Sequence, residues 1–200
     1  MENNNNIAIG YNAFAGCGSS VSGTTVIELP PNIIIKESSH SIGGNFKQVI
    51  FSPNTQFISS YLFSGNNYLT SANLNELKKL TSIGDLAFNG CNSLSYENSI
   101  ELPLLTTLGS NAFNGGNMTN TSFYLPNNLT FGGIISTVQC KLIQFGNEDS
   151  SAANFKFADA TPSGTVWSAK DIYLYGATDG DTAYEFIQNN ITGNLTVKEN

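Results

Sequence analysis

The stretch IGDLAFNGC, residues 83–91, occurs again with few changes elsewhere in the chain. It returns as IGYNAFAGC at 9–17 and as LGSNAFNGG at 108–116. A catalytic motif normally occurs once, whereas a phrase that recurs reports on architecture. The recurrence therefore predicts a protein built from repeated structural units.

The phenylalanines of this phrase set the period. Phe63, Phe88 and Phe113 follow one another at intervals of 25 residues, and Phe14 lies 49 residues before Phe63. That gap leaves room for one degenerate copy, IKESSHSIG at 35–43, in which His40 takes the phenylalanine position. A fixed period of this length is the signature of a solenoid.

A second phrase, an apolar strand that ends at proline, alternates with the first. It reads VIELP (26–30), VIFSP (49–53), SIELP (99–103) and SFYLP (122–126), and NELK (75–78) fills the same position without a proline. Alternation puts the apolar residues inward and the polar residue outward, and proline ends the strand because it cannot donate to a ladder. The Ile-Gly pair predicts a second inward contact and a turn, and the glycine after phenylalanine supplies the positive φ of a tight turn. One coil cannot bury its own interior, so neighbouring coils must stack.

Beyond about residue 135 the strands persist but the first phrase is lost. KLIQFG (141–146) and DIYLYG (171–176) predict two strands, and LTV (195–197) predicts a last one. We expect a single domain over 1–200, with clear repeats at about 7–135 and degenerate repeats with a C-terminal cap at about 136–200.

A short helix is predicted at DTAYEFIQNN, residues 181–190. Asp181 suits the N-cap, and the apolar contacts would come from Tyr184, Phe186 and Ile187.

Composition excludes several classes of protein. The net charge of −7 argues against a nucleic-acid binder, which needs a basic face. No run of 18 apolar residues is present, so no direct membrane insertion is expected, and the start MENNNN has no signal-peptide pattern. A surface rich in Asn, Ser, Thr and Gly is common in secreted β-rich proteins, although AT-rich coding bias produces the same enrichment.

The three cysteines predict neither a zinc site nor a disulfide. Cys17, Cys91 and Cys140 form no CxxC pair, and Cys17 and Cys91 occupy the same position in repeats several rungs apart. We interpret these two as buried reduced thiols. Asp179 and Asp181 lack the remaining oxygen ligands of a calcium loop, so we expect no metal and no cofactor.

The two phrases together resemble the BspA-type, or Treponema-type, leucine-rich repeat. The resemblance is carried by Ile83, Gly84, Ala87, Phe88, Gly90 and Cys91 followed by Leu102-Pro103, with similar offsets after Ile9 and Leu108. The ending IYLYGATDGDTAYEFI is similar to the strand and tyrosine-containing helical cap of that family.

This resemblance implies a β-rich, right-handed leucine-rich-repeat solenoid with a short C-terminal capping helix. A parallel sheet would line the concave face, and irregular or 3-10 structure would form the convex side. It also implies a secreted or cell-surface adhesion protein, whose partner would be a surface protein or glycan of a host or of another cell. NNNNIAIGYNAFA (3–15) is similar to repeats of trimeric autotransporter heads and phage tail fibres as well, but no second copy follows near residue 23.

Alignment of the strands at the proline predicts a row of outward residues across the concave sheet. The row contains Glu28, Phe51, Glu76, Glu101, Tyr124, Gln144 and Tyr173. Three carboxylates and three aromatic rings on one exposed surface suit a basic protein segment or a carbohydrate, because aromatic anchors commonly dominate binding. Outward strand positions also favour β-formers such as Phe and Tyr without any ligand, so both interpretations stay open.

No catalytic residue is predicted. His40 is the only histidine, and no sequence neighbour supports a hydrolytic triad, so we interpret it as a filler of its degenerate rung. A row of glutamates could serve a glycosidase, but rungs about 5 Å apart on an open sheet offer no site that excludes water. We predict a binding module rather than an enzyme, with a structural spacer as the alternative and the oligomeric state open.

Overall fold

The computed structural model describes residues 7–17, 25–35, 40–97, 99–132, 138–158 and 167–198. Within them the chain forms a coil of short strands, and every pair of neighbouring strands is parallel. Parallel pairing follows from the repeat, because each turn of a solenoid brings the chain back in the same direction. The solenoid predicted from the sequence is confirmed.

Two walls of parallel strands enclose the core. The first, which we call the proline wall, contains β2 (Val26–Leu29), β4 (Gln48–Phe51), β6 (Ser71–Ala72), β8 (Ser99–Glu101), β10 (Ser122–Leu125), β12 (Gln139–Phe145), β14 (Ser168–Tyr175) and β15 (Thr192–Lys198). The second, the glycine wall, contains β1 (Ile7–Ile9), β3 (Ile33–Ile35), β5 (Phe57–Ile58), β7 (Ser82–Ile83), β9 (Thr107–Leu108), β11 (Asn128–Phe131) and β13 (Asn154–Phe157). The Ile-Gly position, which the sequence predicts as a contact and a turn, is therefore a second sheet.

The phenylalanines of the repeat stack along the coil axis. The ring centres of Phe63 and Phe88 lie 5.9 Å apart, with 12° between the ring planes. The ring centres of Phe88 and Phe113 lie 5.4 Å apart, with 1° between the planes. All three side chains are fully buried. Each such pair contributes about 0.5–1.5 kcal/mol beyond the burial of its apolar area.

The two glycines of the phrase meet different requirements. Gly90 has a φ of 74°, which an L side chain rarely adopts, and the sequence predicted this turn. Gly84 is needed for a different reason, because a Cβ there would overlap the backbone nitrogen of Ser60 on the preceding rung. Gly84 therefore permits close stacking of the rungs, and Gly90 permits the turn.

One 3-10 turn, Leu74–Glu76, interrupts the proline wall between β6 and β8. The family resemblance implies 3-10 structure on the convex side, opposite the sheet, whereas this turn lies in line with the proline wall. Two carboxamides fasten this turn to the strands on either side, Asn73 to β4 beside the β4–β6 ladder and Asn75 to β8 in place of a ladder. Asn73 bonds both the N–H and the C=O of Phe51, and Asn75 bonds the Ser99 carbonyl and the Glu101 N–H. We call this arrangement the asparagine joint.

The degenerate rung differs from its predicted alignment. Ile42, not His40, joins this rung to its neighbours, since its N–H donates to Leu62 O and its C=O accepts from the Phe14 N–H. Ile42 is fully buried, whereas His40 is exposed and contacts the Tyr11 ring at 5.1 Å. The interior selects an apolar side chain two residues later in the chain.

The cysteines also differ in part from the prediction. All three are free, and Cys91 and Cys140 are buried, but Cys17 is exposed. Cys17 belongs to the first described rung, whose strand β1 pairs only with β3, so no described rung covers its other side.

The C-terminal elements match their predictions. Strands β12, β14 and β15 pair in succession, and helix α1 (Thr182–Asn190) begins after Asp181, whose side chain accepts a hydrogen bond from the Tyr184 N–H. Phe186 stacks on Phe131 at 5.7 Å and on Phe155 at 5.8 Å, which covers the end of the core. Ala183 and Ile187 are the buried helix residues, so the contact predicted for Tyr184 is made by Ala183 instead. No helix in the described part of the chain has the length and apolar character to cross a membrane.

Candidate functional site

Four residues of the predicted row do form one row on the outer face of the proline wall. Strand register places Glu101 beside Tyr124, Tyr124 beside Gln144, and Gln144 beside Tyr173. The row continues to Thr196 on β15. Because strands are about 4.8 Å apart, the four predicted residues span roughly 14 Å along the coil axis.

Phe51 does not belong to this row. It pairs with Leu29, is only 3% exposed and lies in the core, while Ile50 pairs with Glu28 on the outer face. The proline is offset by one residue in VIFSP, where Ser52 separates the strand from Pro53. A shift of one residue moves every side chain of a strand to the opposite face.

Glu28 and Glu76 are exposed, but they lie outside the group around Tyr124. Glu28 is on β2, in the sheet that ends at β6, and Glu76 is on the 3-10 turn, where its carboxylate accepts a hydrogen bond from Asn73 Nδ2 at 2.9 Å. Glu101 is the one carboxylate of the predicted row that joins Tyr124 and Gln144.

A cleft of about 360 Å³ lies over the middle of the row. Its lining combines row residues with residues from the loops after β8, β10 and β12, and it comprises Glu101, Pro103, Tyr124, Leu125, Pro126, Asn127, Gln144, Gly146, Asn147 and Ser150. The predicted row thus supplies three of the lining residues, Leu125 at the end of β10 supplies one, and the loops supply the other six.

The asparagine joint holds Glu101 at one end of the cleft. Asn75 Oδ1 accepts a hydrogen bond from the Glu101 N–H at 2.9 Å. The Glu101 carboxylate lies 3.4 Å from Lys78 Nζ, and both side chains are more than half exposed. This ion pair is therefore weak, and it partly neutralises Glu101.

A turn that is held to the core by hydrogen bonds forms the opposite side of the cleft. Asn127 is buried, and its Nδ2 donates to Ser151 O at 2.6 Å and to Tyr175 O at 3.1 Å. Asn147 and Ser150 close the turn through a hydrogen bond from the Asn147 N–H to Ser150 Oγ at 2.8 Å. Buried, satisfied polar groups of this kind make the loop rigid.

The far end of the row carries a cation over an aromatic ring. Lys198 Nζ lies 4.3 Å from the centre of the Tyr173 ring. Gln144 lies between the two tyrosines, and its Nε2 donates to Gly146 O at 3.0 Å, which fixes the plane of the carboxamide. The row thus runs from a carboxylate, over a tyrosine and a carboxamide, to a tyrosine covered by lysine.

The described residues offer hydrogen bonding and apolar contact at this site. They contain no group of three or more His, Cys, Asp or Glu residues that could hold a metal ion. Burial raises the pKa of Cys91 and of Cys140 to about 12, so both thiols stay protonated at neutral pH and are poor nucleophiles. The absence of catalysis remains a prediction.

Sequence reasoning missed the loop half of the cleft. Asn127 and Asn147 follow the strand ends in LPNN (125–128) and FGNEDS (145–150), where turn-forming residues cluster. That clustering marks the loops, but only the folded coil shows that they stand beside Tyr124.

Comparisons with known proteins give one match. The BspA type leucine rich repeat region matches residues 7–143 in six copies. No curated protein and no solved structure matches the chain. Since the match covers more than half of the sequence and coincides with the described coil, the chain belongs to the family of BspA-type leucine-rich-repeat proteins.

Proposed function

We propose that this protein is a secreted or cell-surface binding module that uses the outer face of the proline wall to hold a partner on another cell or surface. The observation that carries the proposal is the cleft, which lies on the row that the repeat alignment had already selected. Scaffolds of this kind present ligand sites on a rigid, repeated surface.

Two further observations support a binding role. Leucine-rich-repeat solenoids typically serve as non-catalytic binding scaffolds, and BspA-type proteins are commonly associated with surfaces and adhesion. The row also combines an accessible carboxylate with tyrosines, and tyrosine is enriched among the residues that dominate binding energy.

Surface location is tested by protease treatment of intact cells of the native organism, followed by mass spectrometry of the released peptides. Peptides of this chain should appear before lysis, while peptides of a cytosolic marker protein should not. If peptides of this chain appear only after lysis, the extracellular part of the proposal is wrong.

Binding through the row is tested with a paired substitution. Gln144→Lys changes the centre of the row, and Gln56→Lys makes the same change at an exposed position outside it. The purified variants are compared for binding to intact cells and to immobilised matrix proteins. The proposal expects a loss only for Gln144→Lys, whereas unchanged binding of both variants would favour a structural spacer.

A further inference from the structure

We propose that the cleft around Tyr124 binds an uncharged oligosaccharide, with the Tyr124 ring as the platform on which one sugar stacks. This inference rests on the proposed binding function and adds the chemical class of the ligand. The lining of the cleft, its charge, its rigidity and its direction all favour such a ligand.

The lining matches the two kinds of surface that a pyranose presents. A sugar ring has an apolar C–H face, which packs against an aromatic face that carries negative quadrupole density. Its rim carries hydroxyl groups that both donate and accept. Beside Tyr124 the cleft offers the Glu101 carboxylate as an acceptor and the carboxamides of Gln144 and Asn147 as mixed donors and acceptors.

The charge of the cleft favours a neutral ligand. Among the described lining residues Glu101 is the only charged one, and Lys78 already lies 3.4 Å from its carboxylate. The lining, as far as the structure describes it, contains no Lys or Arg, and the adjoining turn carries the exposed residues Glu148 and Asp149, which disfavours sulfated or other acidic sugars. Glu148 and Asp149 lie outside the lining, so a basic peptide seated in the cleft would contact one carboxylate, that of Glu101, which is already paired with Lys78.

The cleft is held in shape without a ligand. Asn127, in the loop after β10, donates hydrogen bonds to the carbonyls of Ser151 in the loop after β12 and of Tyr175 at the end of β14. Gly146 and Gly176 allow these loops to pack closely, because a Cβ at either glycine would meet the neighbouring turn. A site formed in advance loses little conformational freedom on binding, which matters for a ligand as weakly apolar as a sugar.

The row also gives the ligand a direction. Glu101, Tyr124, Gln144 and Tyr173 follow the coil axis at intervals of about 4.8 Å, comparable to the length of one hexose unit. An extended oligosaccharide therefore lies across the strands, with one unit over Tyr124 and the next ones toward Tyr173. At Tyr173 the cation of Lys198 already covers the ring, so that end contributes polar contacts rather than stacking.

The experiment uses the full chain, labelled with ¹⁵N, and neutral tetrasaccharides of gluco, galacto and manno configuration at millimolar concentration. A sulfated tetrasaccharide and a lysine-rich peptide serve as charged comparison ligands. Amide shifts are followed in titrations of the unaltered protein, of Tyr124→Ala and of Tyr68→Ala. Tyr68 is the matched control, because it is 57% exposed and lies outside the cleft.

We expect saturable shifts in β8, β10 and β12 with at least one neutral tetrasaccharide. The affinity should fall about tenfold in Tyr124→Ala and stay unchanged in Tyr68→Ala. The proposal is overturned if no neutral tetrasaccharide shifts these strands, if the lysine-rich peptide or the sulfated sugar binds there instead, or if both variants weaken equally. Retention of the Gln144-dependent cell binding in any of those cases would show that the binding function stands while the ligand class is wrong.

Discussion

Replacement of Phe88 by leucine tests why phenylalanine, rather than another large apolar residue, recurs every 25 residues. Leucine keeps most of the apolar burial at a fully buried position, but it removes the stacked pairs with Phe63 and Phe113. The edge-to-face contact with Phe51 at 6.3 Å is lost as well, so three pairs at about 0.5–1.5 kcal/mol each predict a loss of about 3 kcal/mol in the free energy of unfolding. With a urea slope of roughly 2 kcal/mol per M, the midpoint should fall by about 1.5 M.

The assay is urea unfolding followed by circular dichroism and by Trp167 fluorescence. Trp167 is the only tryptophan, is buried and lies 4.8 Å from Phe123, so it reports on the core beyond the stack. Two probes are needed because a repeat protein can unfold in parts. Phe57→Leu is the control, since Phe57 is half-buried on the glycine wall and should change stability by no more than about 0.5 kcal/mol. Equal midpoints for Phe88→Leu and Phe57→Leu would refute the stacking argument.

Three further outcomes follow from single positions. Gly84→Ala should cost about 3 kcal/mol by overpacking against the preceding rung, whereas Gly90→Ala should cost about 1 kcal/mol for its positive φ; thermal unfolding that reverses this order would contradict the assignment of the two glycines. Cys17 should react at once with a thiol reagent, whereas Cys91 should react only when the protein unfolds. Because the pKa of Cys91 is raised in the folded state, the unfolded chain loses this proton first, and the free energy of unfolding should fall from pH 9 toward 12 by up to about 1.4 kcal/mol per pH unit. An unchanged slope in Cys91→Ala would rule out this thiol as the cause. Asp181→Ala should cost about 1 kcal/mol through the lost N-cap of α1, and a wild-type melting temperature for this variant would show that the cap is not stabilising.

The parts of the fold set by the burial of side chains could be predicted from the sequence. Ile100, Phe123 and Ile143 are all fully buried, and their alternation with Glu101, Tyr124 and Gln144 determines which residues face outward. The same reasoning failed at Phe51 because the alignment used proline as its reference. Proline marks the end of a strand, but it does not fix how many residues separate that end from the core.

The glycine wall and the cleft could not be predicted from the sequence, for two different reasons. Strands such as Ser82–Ile83 have two residues, which is too short for alternation to show. The cleft depends on Asn127, whose partners Ser151 and Tyr175 are 24 and 48 residues away in sequence. A buried carboxamide satisfied by distant carbonyls leaves no local pattern, so its position emerges only once the coil is closed.

The asparagine joint gives the coil a point of uneven mechanical strength. Elsewhere in the described proline wall, adjacent rungs are held by main-chain ladders, and a stretching force along the axis must break several bonds of each ladder. Between β6 and β8 side chains take the place of that ladder, since Asn75 bonds Ser99 and Glu101 and the Tyr96 hydroxyl donates to Ala72 O, while the glycine wall continues unbroken from β5 to β13 on the other side. Under tension the coil would therefore open first at the asparagine joint, on the side of the proline wall, and bend there. Glu101 lies at this joint, so a force strong enough to open the joint would also change the shape of the cleft.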